Sequence, residues 1–126
     1  MASKLTKRAL AEIAVEASPT EVSKTLIEIM PFFDVLFKGE RVEENSHRIE
    51  LIGERGMGFR SWGETITIKI KEDGRCGSVV QAESKASLET TLFDYGQNKE
   101  NLQRLFLELI RKYKSTSPMV LKEKVL

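Results

Sequence analysis

The sequence predicts an α+β fold: a curved antiparallel sheet of about five strands, covered by a helix after the first strand and by a long C-terminal helix, in the order β-α-β-β-β-β-α. Three observations predict it. Apolar and polar residues alternate along 11–17, 64–71 and 79–86, the period of a half-buried strand. Ser18-Pro19-Thr20-Glu21 is a helix-start signature. Leu102, Leu105, Phe106, Leu109, Ile110 and Tyr113 recur at helical spacing, with Lys99, Glu100, Gln103, Arg104, Glu108 and Arg111 between them.

Taken in order, Ala11, Ile13, Val15 and Ala17 form one face of the first strand, with Glu12 and Glu16 on the other. Ser18 then caps a helix, Pro19 occupies its first position and Glu21 its third. Val22, Leu26, Ile29 and Met30 keep helical spacing until Pro31 interrupts it. Phe32, Phe33, Val35, Leu36 and Phe37 follow as a dense apolar patch that either begins a strand or forms a short second helix.

Strands and turns dominate the middle. Glu44-Asn45-Ser46 reads as a hairpin turn between Lys38–Glu43 and His47–Ile52, and Gly53, Gly56 and Gly58 as bends of a curved sheet. Phe59–Lys71 is the clearest strand: Ile66, Ile68 and Ile70 share a face with Arg60, Trp62 and Glu64, opposite Thr65, Thr67, Lys69 and Lys71. Glu72-Asp73-Gly74 turns the chain. Val80, Ala82, Ser84 and Ala86 then alternate with Val79, Gln81, Glu83 and Lys85 on the returning strand. At the last helix Asp94 is the expected cap and Gln97 can reach back to it.

One domain is expected at 9–113, with a basic N-terminal tail at 1–8 and a C-terminal tail at 114–126. At 126 residues and 40% apolar composition the chain can bury a core without disulfide or metal. With Cys76 its only cysteine and His47 its only histidine, neither an internal disulfide nor a zinc cluster is available, and no cofactor is expected. No segment approaches the roughly eighteen apolar residues that span a bilayer, and 9–18 lack a signal peptide's apolar run, so the expected location is the cytoplasm. The net charge of +1 hides an asymmetry. Lys4, Lys7 and Arg8 at one end and Arg111, Lys112, Lys114, Lys122 and Lys124 at the other leave the body between them acidic. Such a body repels phosphate backbones, so nucleic acid is not an expected partner.

No catalytic constellation is legible. A Ser-His-Asp unit would have to use His47, no Gly-x-Ser-x-Gly elbow is present, and Ser84 and Lys85 point to opposite strand faces. Cys76 lies in a turn beside Arg75, which favours its thiolate only slightly. Gly53-Glu54-Arg55-Gly56 matches the Gly-x-x-Gly loop of KH domains in letters, but a strand follows it and Glu54 opposes phosphate. Arg60, Trp62 and Glu64 form either an ion pair at the end of the core or, with Phe32 and Phe33, the aromatic lip of an apolar pocket. Asp94, Gly96, Asn98 and Asn101 tie the preceding loop to the terminal helix.

Ser84-Lys85, then Thr91-Leu92-Phe93-Asp94-Tyr95-Gly96, Asn98 and Asn101, resembles a signature of small uncharacterised bacterial proteins: Ser-Lys, an extended link, then Asp-aromatic-Gly-x-Asn opening the last helix. More loosely, the element order resembles the helix-grip, or START-like, superfamily, which implies an apolar ligand between sheet and terminal helix. It is equally similar to a five-stranded TATA-binding-protein-like arrangement, which implies no roomy cavity. The expected function is therefore a noncatalytic domain binding a small hydrophobic ligand. The alternative is a structural or protein-interaction module with a fully packed core.

Overall fold

The computed structural model describes residues 6–33, 35–43, 47–55, 64–74, 77–86 and 97–125. The expected α+β architecture is present. Strand β1 (Thr6–Val15) leads into helix α1 (Pro19–Ile29) and a 3-10 turn at Met30–Phe33. Strands β2 (Val35–Glu43), β3 (Arg48–Arg55), β4 (Glu64–Asp73) and β5 (Gly77–Ala86) follow, then helix α2 (Gln97–Lys112) and strand β6 (Val120–Val125). The strands form one antiparallel sheet in the order β2-β3-β4-β5-β1-β6.

The sheet therefore has a sixth strand, in the segment expected to be a C-terminal tail. Ala9 pairs with Glu123 and Ala11 with Leu121, while Val15 bridges Ser115 ahead of the strand. Two backbone bonds pin the approach to it: Glu16 N–H donates to Lys114 O at 2.8 Å and Thr116 N–H to Ala14 O at 2.8 Å. Residues 6–8, expected in the basic N-terminal tail, belong to β1 for the same reason, since β1 needs its full length to pair with β5 on one side and β6 on the other.

Local chemistry sets the remaining boundaries. The Ser18 hydroxyl accepts a hydrogen bond from Glu21 N–H at 3.2 Å, capping α1, and Pro19 stands at the first turn where no donor is needed. Pro31 ends α1 in the 3-10 turn, and the apolar patch divides, Phe32 and Phe33 closing that short helical turn and Val35, Leu36 and Phe37 opening β2. Gly74 takes φ +74°, a left-handed conformation that favours glycine, where β4 turns into β5.

Both helices cover one face of the sheet, α2 over β1 and β5 and α1 over β3 and β4. Ala9, Ala11 and Ala82 keep those strands low beneath α2, so that Leu102, Leu105, Phe106 and Leu109 are all completely buried. Ile66, Ile68 and Ile70 of β4 and Leu51 of β3 fill the core on the α1 side with Val22, Leu26 and Met30. Ile110, expected within the apolar stripe of α2, lies at its margin and is 36% exposed. Tyr113, just past the helix, packs against the core and completes the stripe.

Candidate functional site

Period-two geometry gives every strand a second face, and among the described residues no helix covers that second face. Helices occupy only the side carrying Ile13, Leu51, Ile68 and Val80; on the other side the register builds rows across the sheet. One row runs from Val120 through Glu12, Gln81, Lys69 and Glu50 to Arg41. The next runs from Lys122 through Leu10, Glu83 and Thr67 to Ile52. A third brings Val79, Lys71, Arg48 and Glu43 into line.

These rows line a trough made of two adjoining depressions. The larger, about 700 Å³, lies among Leu10, Glu12, Thr67, Glu83 and Val120. The smaller, about 380 Å³, lies among Arg41, Glu43, Arg48 and Lys71. Glu50, Lys69 and Gln81 border both. The face is of mixed charge: on β1 and β5 Glu12 and Glu83 stand with Lys122 in register beside Leu10 and Lys85 in the next row, and β2–β4 carry Arg41, Arg48, Lys69 and Lys71 against Glu43 and Glu50.

On β3 and β4, Arg48 and Lys71 are direct cross-strand partners, an arrangement that is unfavourable between like charges. Among the described residues neither takes part in an ion pair, and the same holds for Arg41 and Lys69. On β1 and β5, Gln81 Nε2 donates to Glu12 Oε1 at 2.7 Å, which orients that carboxylate. Leu36 and Ile52 stand outward at the β2–β3 side, 63% and 38% exposed.

The residues expected to form a site do not gather here. Phe32 and Phe33 sit in the 3-10 turn and part company: Phe32 is 83% exposed, whereas Phe33 packs against the core. Arg60 and Trp62 lie outside the described residues, as do Cys76, Asp94 and Gly96. Glu64 heads β4, with its backbone opposite Arg55 and Ala86. Ser84 is buried and Lys85 exposed, on opposite faces of β5 as expected. Asn98 and Asn101 fall in the first turns of α2. The trough residues were readable only as the polar half of each alternation, and their grouping depends on strand order.

Other polar features are isolated. His47 Nδ1 and Glu72 Oε2 are 2.6 Å apart at the exposed start of β3 and end of β4, and Glu72 N–H also donates to His47 O at 2.9 Å. Among the described residues no group of three or more His, Cys, Asp or Glu side chains stands close enough to hold a metal ion. No described helix is long and apolar enough to cross a membrane.

No family model and no curated protein matches this chain. Among solved structures, an uncharacterised protein from Bacillus thuringiensis is similar over 82% of this chain and 93% of its own, with 12% identity and a TM-score of 0.41. A likeness at that level assigns neither a family nor an activity.

Proposed function

We propose that this chain is a noncatalytic protein-interaction module, working in the cytoplasm, that docks its partner on the uncovered face of the sheet. One observation carries the reading: Leu102, Leu105, Phe106 and Leu109 are fully buried between sheet and α2, while the trough lies on the opposite face. An apolar ligand between sheet and α2 would have to displace Leu102, Leu105, Phe106 or Leu109, each fully buried. Opening such a core costs about 2–5 kcal/mol per large side chain, so ligand entry there is disfavoured.

Outward apolar groups on the trough face support the same reading. A solvated antiparallel face alternates apolar inward with polar outward, yet Leu10, Leu36, Ile52, Val79 and Val120 all stand on the outer side. Covering them removes apolar area from water, and covering Arg48 and Lys71 with carboxylates relieves their repulsion.

Site-specific photo-crosslinking in cells tests this. A photoreactive phenylalanine analogue replaces Thr67 at the centre of the trough or, as a control, Glu28 on the exposed side of α1. Protein adducts from position 67 with none from position 28 are expected. No adduct from position 67, or equal adducts from both, overturns the reading.

A further inference from the structure

Two features of the outer face lie close together on β2 and β3 and differ in kind. The first is a knot of positive charge. Register lays Lys71 directly across from Arg48 and places Lys69 and Arg41 on either side of Glu50. The Cβ atoms of such a cross-strand pair are about 5 Å apart, and among the described residues neither Arg48 nor Lys71 has an ion-pair partner. Farther along the same strands the charges are already matched, Lys38 with Glu54 at 3.9 Å. The unanswered repulsion is therefore local.

The second feature is a notch. Gly39 stands opposite Ile52 on the edge strand, and a methyl built on it would meet nothing within 4 Å. The missing side chain leaves Ile52 open on that flank, with Leu36 exposed in the next row. Four residues of β3 separate Ile52 from Arg48, about 13 Å at about 3.3 Å per residue.

We infer that the segment docked here belongs to a different protein and is acidic with one apolar anchor: its carboxylates sit on Arg48 and Lys71, and an aliphatic side chain enters the Gly39 notch about 13 Å away. This rests on the interaction reading above and names the chemistry of its partner. A carboxylate set between two neighbouring cations removes their repulsion, and the planar guanidinium of Arg48 takes it bidentately. Glu43 and Glu50, beside Arg48 in the register, reject carboxylates placed elsewhere and so fix where the acidic residues of the partner lie. A nucleic-acid backbone fits less well, because its charge recurs at every nucleotide and meets those same glutamates. A second copy laid face to face brings Lys69, Lys71, Lys85 and Lys122 with its own carboxylates, and so offers no acidic excess.

The crosslinking from position 67, which neighbours Ile52 in the register, provides the test once the crosslinked segment is sequenced by tandem mass spectrometry. A net-negative segment with an aliphatic residue beside its Asp or Glu residues is expected. R48E/K71E is expected to lower the adduct yield at least about tenfold, and Gly39→Leu, which fills the notch, at least about fivefold. Circular dichroism checks that both variants fold. Should either fail to fold, a synthetic peptide of the crosslinked segment, measured on the wild-type chain by fluorescence anisotropy, takes its place. Exchanging its Asp and Glu for Asn and Gln, or its aliphatic residue for Ser, is expected to weaken binding at least about fivefold, and raising salt from about 0.05 M to about 0.5 M to weaken it further.

A neutral or basic segment, a segment from another copy of this chain, or yields that R48E/K71E or Gly39→Leu leave unchanged overturn the inference and leave the interaction module standing. Peptide binding that ignores the amide exchange or the Ser exchange does the same. No protein adduct from position 67, or adducts to nucleic acid alone, overturns both.

Discussion

The hydroxyls of Thr25 and Tyr113 are 2.7 Å apart and join the middle of α1 to the end of α2. Thr25 is buried, and Tyr113 OH also lies 3.3 Å from Glu21 O as a donor. One phenol therefore links two helices that pack on the same face of the sheet.

Tyr113→Phe removes that link while keeping the ring. The Thr25 hydroxyl then loses a partner in a buried setting, which costs about 1–2 kcal/mol and lowers the midpoint of thermal unfolding by several degrees. Thr25→Val combined with Tyr113→Phe is expected to cost less than the sum of the single changes, read by circular dichroism melts.

Gly53→Ala is expected to destabilise through overpacking. A Cβ there would stand 2.7 Å from Val35 Cγ1, 3.4 Å from Leu36 O and 3.6 Å from Met30 Sδ. Val35 is buried and its branched side chain has little freedom to retreat, so the cost is about 1–3 kcal/mol by urea denaturation. Gly39→Ala, where nothing lies within 4 Å of the new methyl, is the matched control and is expected to change stability little.

Phe106→Ala opens a cavity in the largest fully buried side chain of α2 and is expected to cost about 3–5 kcal/mol, with Phe106→Leu costing less. The alanine variant also probes the apolar-ligand alternative. Benzene is expected to raise its melting temperature more than that of the wild type, in which the Phe106 ring occupies that space.

Ending the chain after Pro118 removes β6 and leaves β1 with an unpaired edge. Faster amide exchange along β1 is expected, together with earlier aggregation in a thermal ramp followed by light scattering, because a long bare edge recruits other chains.

Much of the fold was legible because it is written in local periods. The isoleucines of β4 and the leucine and phenylalanine stripe of α2 are buried where their spacing put them. Strand β6 was not legible. Its six residues include Lys122, Glu123 and Lys124, a density of charge that reads as a solvated tail, and it is also the composition that protects an edge strand. Only pairing with β1, more than a hundred residues away in sequence, reveals it. The trough was hidden for a related reason. Arg48 and Lys71 are neighbours through register alone, and nothing within a window around either residue announces the other.

The position of β1 sets a timetable for the molecule. The first strand of the chain ends up inside the sheet, and its pairing begins with Ser78 and finishes with Val125. On a ribosome, β1 and α1 emerge long before any strand able to pair with β1, whereas β2, β3, β4 and β5 each join the one before as soon as it is made. The β2–β5 meander can zip up sequentially, and closing β1 into the gap beside β5 is the late, high-contact-order step that limits the folding rate.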